Sequence, residues 1–114
     1  MKSNIIASVV LAASTTLFMT VTAAAEIDAD AAKSLAKRND CFKCHAVDKT
    51  KKGPSYKSIA AKYKGKAEAQ SAVIKQMTTS PRVKLEDGTE EDHKNIDTRD
   101  QNELKNLAGW ILSL

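Results

Sequence analysis

The chain has 114 residues, 42% of them hydrophobic and only 4% aromatic, with a formal net charge of +4. That length suits one domain, and no repeat, linker or low-complexity segment divides it. A charge this modest argues against a nucleic-acid partner.

The N-terminal stretch MKSNIIASVVLAASTTLFMTVTAAAE opens on Lys2, runs apolar from Ile5 to Val21 and ends at Ala23-Ala24-Ala25, an A-x-A cleavage pattern. It reads as an export signal over residues 1–25. A membrane anchor is the competing reading, but Ser8, Ser14, Thr15, Thr16 and Thr20 interrupt the run and no positive charges follow it. The mature chain is then 26–114, delivered to an oxidising, periplasmic space without stable membrane insertion. Its aromatics are Phe42, Tyr56, Tyr63 and Trp110, so a domain this small is marginal on its side-chain core alone.

Helices follow in order, with no convincing strand. From about Ile27 to Arg38, Ile27, Ala31 and Leu35 recur at spacings of four, and Asp28 and Asp30 favour the N-terminal end. Gly53-Pro54 breaks the chain after the cysteine motif. Ser55 is placed to cap a helix carrying Ile59 and Tyr63 on one face, and Gly65 ends it. Ala67 to Met77 forms a third helix with Ala69, Val73 and Met77 in register before Pro81. In the last helix Thr98 and Gln101 have capping-box spacing, and Leu104, Leu107, Ala108, Ile111 and Leu112 form one apolar stripe.

Chemistry concentrates in DCFKCHAVDK, which holds Cys41, Cys44 and His45. A Cys-x-x-Cys-His run admits three readings: a redox disulfide, half of a zinc site, or covalent haem attachment. Zinc needs further Cys or His ligands, and beyond the triplet the chain offers only His93. A thioredoxin-type motif sits between a strand and a helix, and no alternating apolar run precedes Cys41. Two thioether bonds to haem would consume both sulfurs, and the porphyrin would supply apolar mass that the side chains lack.

The order and spacing of CFKCHAVDKTKKGPSYKSIAAKYKGKAEA and DTRDQNELKNLAGWILSL resemble a small bacterial class I cytochrome c, and with the first helix they span nearly all of the mature chain. The resemblance implies an all-α, four-helix fold wrapped around one covalently attached haem c. Cys41 and Cys44 would bond the haem, and His45 would give Nε2 to the iron. Pro54 would accept the other ring N–H through its carbonyl, and Gly53 would allow close approach. Leu107 and Trp110 would pack the last helix on the first, near Leu35.

The sixth ligand departs from that pattern. The family presents a Met from the loop before the last helix, but here PRVKLEDGTEEDHKNID contains none. Counting back from Trp110 by the spacing usual in that family, the resemblance implies His93 or Lys94 at the ligand position. Met77 falls one helix too early and reads as core. His93 is the expected distal ligand, with Lys94, Asn95 or an open site as alternatives.

A bis-histidine haem lies lower in potential than a Met-ligated one, and Glu86, Asp87, Glu90, Glu91 and Asp92 push the same way. The implied function is single-electron transfer to redox partner proteins, not enzymatic catalysis. Lys43, Lys49, Lys51, Lys52 and Lys57 suggest a basic face for an acidic partner. The alternative is a binder or sensor of nitric oxide, oxygen or carbon monoxide in which His93 leaves the iron.

Overall fold

The computed structural model describes residues 16–20 and 25–114. Residues 1–15 and 21–24, which carry most of the expected export signal, lie outside the described residues. Among those described, no helix is long and apolar enough to cross a membrane.

Helix α1 spans Ala29–Arg38 and starts where the Asp28 carboxylate accepts the Ala31 N–H at 2.9 Å. Asp30 in its first turn and Lys37 and Arg38 in its last complement the helix dipole. Its buried face is Ala32, Leu35 and Ala36, so Leu35 is buried as expected while Ala32 takes the place expected for Ala31. The two alanines let α1 lie close against the last helix, and Ala31 faces solvent. Ile27 precedes the helix, and its side chain stands 3.2 Å from where a Cβ on Gly109 would be.

A single turn, α2 (Cys41–Cys44), follows a left-handed Asp40 at φ 60°. Helix α3 (Tyr56–Tyr63) is capped as expected, with Ser55 Oγ accepting from the Ser58 N–H at 3.1 Å. It stops at Gly65, whose φ of 75° a side chain would strain. Helix α4 (Ala69–Thr78) buries Val73 and Met77. Helix α5 (Gln101–Leu112) packs against α1, α3 and α4, burying Leu104, Leu107, Ala108, Trp110 and Ile111. Leu104 and Leu107 are fully buried, and each such side chain contributes about 1.5–3 kcal/mol relative to exposure. Leu35, Leu107 and Trp110 share one core, and Trp110 also meets Tyr56 edge-on at 5.6 Å between ring centroids.

Two expectations are corrected. The cap of α5 is Asp100, whose carboxylate accepts from Asn102 N–H at 2.7 Å and Glu103 N–H at 3.4 Å. Thr98 instead accepts the Asp100 N–H, and Glu103 reaches Arg38 at 3.2 Å rather than closing a capping box. The segment expected as a long loop contains an antiparallel hairpin, β1 (Arg82–Lys84) and β2 (Glu90–Asp92), with Arg82 opposite Asp92 and Lys84 opposite Glu90. The Gly88 N–H bonds to Leu85 O at 3.0 Å, and Gly88 takes φ 86° to turn the chain back. Among the described residues the fold is thus four main helices, one extra turn and a small hairpin.

Candidate functional site

A cleft of about 680 Å³ opens between α2, α3, α4, α5 and the hairpin, a size in the range of cofactor sites. Its lining joins all the residues singled out from the sequence: Cys41, Cys44, His45, Gly53, Pro54 and His93. The fold therefore brings both ends of the expected site to one space. Met77 lines the same cleft, but it also lies in the core cluster beside Val73.

His45 follows the one-turn helix, its N–H bonded to Cys41 O at 3.0 Å. Its Nδ1 lies 2.6 Å from the Pro54 carbonyl oxygen. A carbonyl only accepts, so Nδ1 carries the proton and Nε2 keeps its lone pair. Gly53 leaves room for this ring, since a Cβ there would stand 2.9 Å from His45 Cε1. Tyr56 also supports the imidazole, stacked on it at 5.3 Å between centroids and 18° between planes. Phe42 in turn meets Tyr56 at 6.0 Å. Burial, chiefly, pushes the His45 pKa down, with nearby His93 adding to it and the Pro54 bond opposing, and this favours the neutral imidazole.

His93 comes directly after β2. The hairpin ladder continues through its N–H to Pro81 O at 2.9 Å, and its Nδ1 donates to Lys94 O at 3.0 Å. Its Nε2 is likewise left with a free lone pair. The two imidazole centroids stand 6.1 Å apart with planes 44° to each other. Metal–imidazole bonds of about 2.0–2.1 Å, made from either side of one ion, put ring centroids roughly 6 Å apart. The 6.1 Å centroid separation matches that spacing. Among the described residues no group of three or more His, Cys, Asp or Glu is arranged to hold a metal, so the zinc reading has no ligand set.

Cys41 and Cys44 are half-buried free thiols on the cleft wall. Burial pushes the Cys41 thiol up, the opposite of the low-pKa thiolate that a redox Cys-x-x-Cys pair uses. Burial likewise pushes the Tyr56 hydroxyl well above its usual range. Ile59, Val73, Ile96, Leu107 and Ile111 supply an apolar part of the lining, the kind of surface a porphyrin needs.

Charges near the cleft are partly paired. Arg82 reaches Asp92 at 3.4 Å and Glu90 at 3.9 Å, so two of the carboxylates near His93 are offset. Asp40 bridges Lys43 at 3.1 Å and Lys94 at 3.2 Å, and the Lys43 bond, then Lys94, hold its carboxyl below the usual range. Of the lysines expected near the mouth, Lys43 lines the cleft, joined by Lys62, Lys84 and Lys94, whereas Lys49, Lys51, Lys52 and Lys57 do not. Tyr56 and Asn39 escaped sequence reasoning. Tyr56 shows only as an aromatic after a cap, and Asn39 as a polar residue after a helix.

The family model described as Cytochrome c matches residues 29–114. Cytochrome c-552 of Nitrosomonas europaea is 35% identical over 101 residues, covering 79% of this chain and 81% of that protein. Cytochrome c-552 of Hydrogenobacter thermophilus is 32% identical over 86 residues, covering 72% and 80%. The crystal structure of the class 1 cytochrome MtoD from Sideroxydans lithotrophicus ES-1 superposes with a TM-score of 0.75 at 54% identity, covering 77% of this chain and 97% of that one. With Cys41 and Cys44 in the attachment motif and the whole helical domain matched, the chain belongs to the cytochrome c family, as a small class I electron-transfer protein carrying one covalently bound haem c.

Proposed function

We propose that the protein is an exported, periplasmic carrier of single electrons whose haem iron is held between His45 and His93, at a potential below that of Met-ligated relatives. The haem supplies the redox chemistry, one electron gained or lost at its iron. Around it the protein does four things. Cys41 and Cys44 anchor the group. Pro54 orients His45 through Nδ1, and the Lys94 carbonyl does the same for His93. The apolar cleft walls limit water, and the pinned histidines keep geometry constant between oxidation states.

The observation that carries this reading is the pair of imidazoles lining one cleft, both with Nδ1 engaged on a carbonyl and 6.1 Å between centroids. Replacing a thioether ligand by imidazole lowers haem potential. The Arg82 pairs weaken the contribution of the hairpin carboxylates, so ligand identity is the larger cause. Export rests on Lys2, the apolar run to Val21 and Ala23–Ala25. Lys43, Lys62 and Lys84 around the cleft give an acidic redox partner a salt-sensitive docking face.

The wild-type holoprotein tests this. Its ferric form should be low-spin without a near-infrared sulfur-to-iron band, and its ferrous form six-coordinate and slow to bind carbon monoxide. Rapid carbon monoxide binding, with a potential that falls as pH rises, would instead mean that His93 detaches on reduction and takes up a proton. That result transfers the function to small-ligand binding.

A further inference from the structure

Every residue from His93 to Asp97 is tied to a residue that precedes β1 in the chain. The His93 N–H bonds to Pro81 O at 2.9 Å, and Lys94 Nζ reaches Asp40 at 3.2 Å. Asn95 Oδ1 accepts from the Ser80 N–H at 2.8 Å, and the Ile96 N–H bonds to Met77 O at 2.8 Å. The Asp97 N–H donates to Asn39 Oδ1 at 2.9 Å. Asn39 differs from the other side chains in this set because it is buried, at 3% exposure, whereas Asp40, Lys94 and Asn95 are exposed.

The Asn39 amide is fully used. Nδ2 donates to Leu35 O at 3.0 Å and to Asp97 Oδ1 at 2.9 Å, while Oδ1 takes the Asp97 N–H. Its position gives the clamp its meaning. Asn39 lies between the end of α1 and Cys41, so it ties the haem-attachment side to the segment leaving His93.

We propose that Asn39 is a positioning residue for the distal ligand, fixing the 93–97 segment and so setting how readily the His93 imidazole leaves the iron. This rests on the reading of His93 as the sixth ligand. If the segment moves as a unit when His93 departs, departure breaks the Asn39 bonds as well as the iron bond. Removing the amide takes away that part of the resistance.

Carbon monoxide binding to the ferrous holoprotein reads the departure directly. Asn39→Ala should accelerate it by about tenfold, the size expected for a buried polar clamp. Asp97→Asn keeps the backbone donor and a side-chain acceptor, and should bind at the wild-type rate. Asn106→Ala is the control: Asn106 makes a matching reciprocal pair with Asp28, 2.8 Å each way, at the other end of α1. It should change the rate by less than about threefold, because its exposed bonds lie away from the distal segment. His93→Ala should bind fast and turn high-spin.

An Asn39→Ala rate within threefold of wild type, with His93→Ala fast, would leave Asn39 a structural residue only and overturn the proposal. A His93→Ala spectrum and rate equal to wild type would overturn the ligand reading, and this proposal with it. If Asn39→Ala does not hold haem, Asp97→Ala, at an exposed site, should still accelerate binding severalfold; no acceleration there overturns the proposal too.

Discussion

Adding one methyl group at Gly53 tests how the proximal histidine is held. A Cβ there would stand 2.9 Å from His45 Cε1, 3.2 Å from Nδ1 and 3.5 Å from Cys44 O. Ordinary carbon–carbon contact begins at about 3.5 Å, so the ring has to retreat by about 0.6 Å. Two contacts resist that shift. Tyr56 is stacked on it at 5.3 Å, and its Nδ1 is held 2.6 Å from Pro54 O. Gly53 is not among the glycines with positive φ, so the change carries no backbone penalty and isolates the crowding. Gly53→Ala should therefore cost about 1–3 kcal/mol, the usual range for overpacking. In a domain of this size each kcal/mol lowers the melting temperature by roughly 4–8 °C. Thermal unfolding of the holoprotein, followed at the Soret band, measures the loss, and potentiometry on the same sample should show a shifted potential. Gly65→Ala is the contrast. Nothing lies within 4 Å of its added Cβ, so it should lose only about 1 kcal/mol or so through its φ of 75° and keep the wild-type potential. A Gly53→Ala protein within about 0.5 kcal/mol of wild type and at an unchanged potential would refute this account of the site.

Further outcomes follow from the same geometry. Asp40, with its carboxyl held below the usual range by Lys43 and then Lys94, adds stability above the unfolded carboxyl value of about 4 and loses it as pH falls through its lower folded value. Asp40→Asn should accordingly be less stable than wild type near neutral pH and match it in strong acid, and added salt should shrink the gap, as denaturant titrations at several pH values would show. Acid-denatured wild type should keep its haem through thioethers at Cys41 and Cys44, and Cys41→Ala should give a singly attached, less stable holoprotein or none; mass spectrometry of the denatured chain checks both. Raising ionic strength should slow electron transfer to an acidic partner, and Lys62→Glu should slow it further at low salt, as stopped-flow mixing would show.

The helices were legible because their signals are local. Ser55 caps α3 and Gly65 stops it at a left-handed φ, both readable from residue type alone. The apolar stripe of α5 appears at its expected positions because 3.6-residue periodicity is a property of the chain itself. The cap of α5 lies two residues beyond Thr98, since Thr98 and Asp100 are both good cap residues and only backbone geometry separates them. The hairpin was not expected. Its strands read Arg-Val-Lys and Glu-Glu-Asp, too short and charged to carry a strand pattern, although Asp87-Gly88 is a turn signal. Cys41, Cys44 and His45 stand out as one short motif, with Gly53-Pro54 eight residues further on, and all five line the cleft. His93 stands out only by its distance from Trp110, and it lines the same cleft. Tyr56 against His45 and Asn39 against Asp97 are tertiary contacts, and no local pattern announces them.

The central claim, an iron held between His45 and His93, is tested most directly by the ferric spectra of His93→Ala and Met77→Leu recorded side by side. Both side chains line the cleft, so both can be asked the same question. The account predicts that His93→Ala turns high-spin and that Met77→Leu stays low-spin with little loss of stability, because Leu nearly conserves the core volume. A low-spin His93→Ala beside a Met77→Leu that has lost its sixth ligand would contradict it.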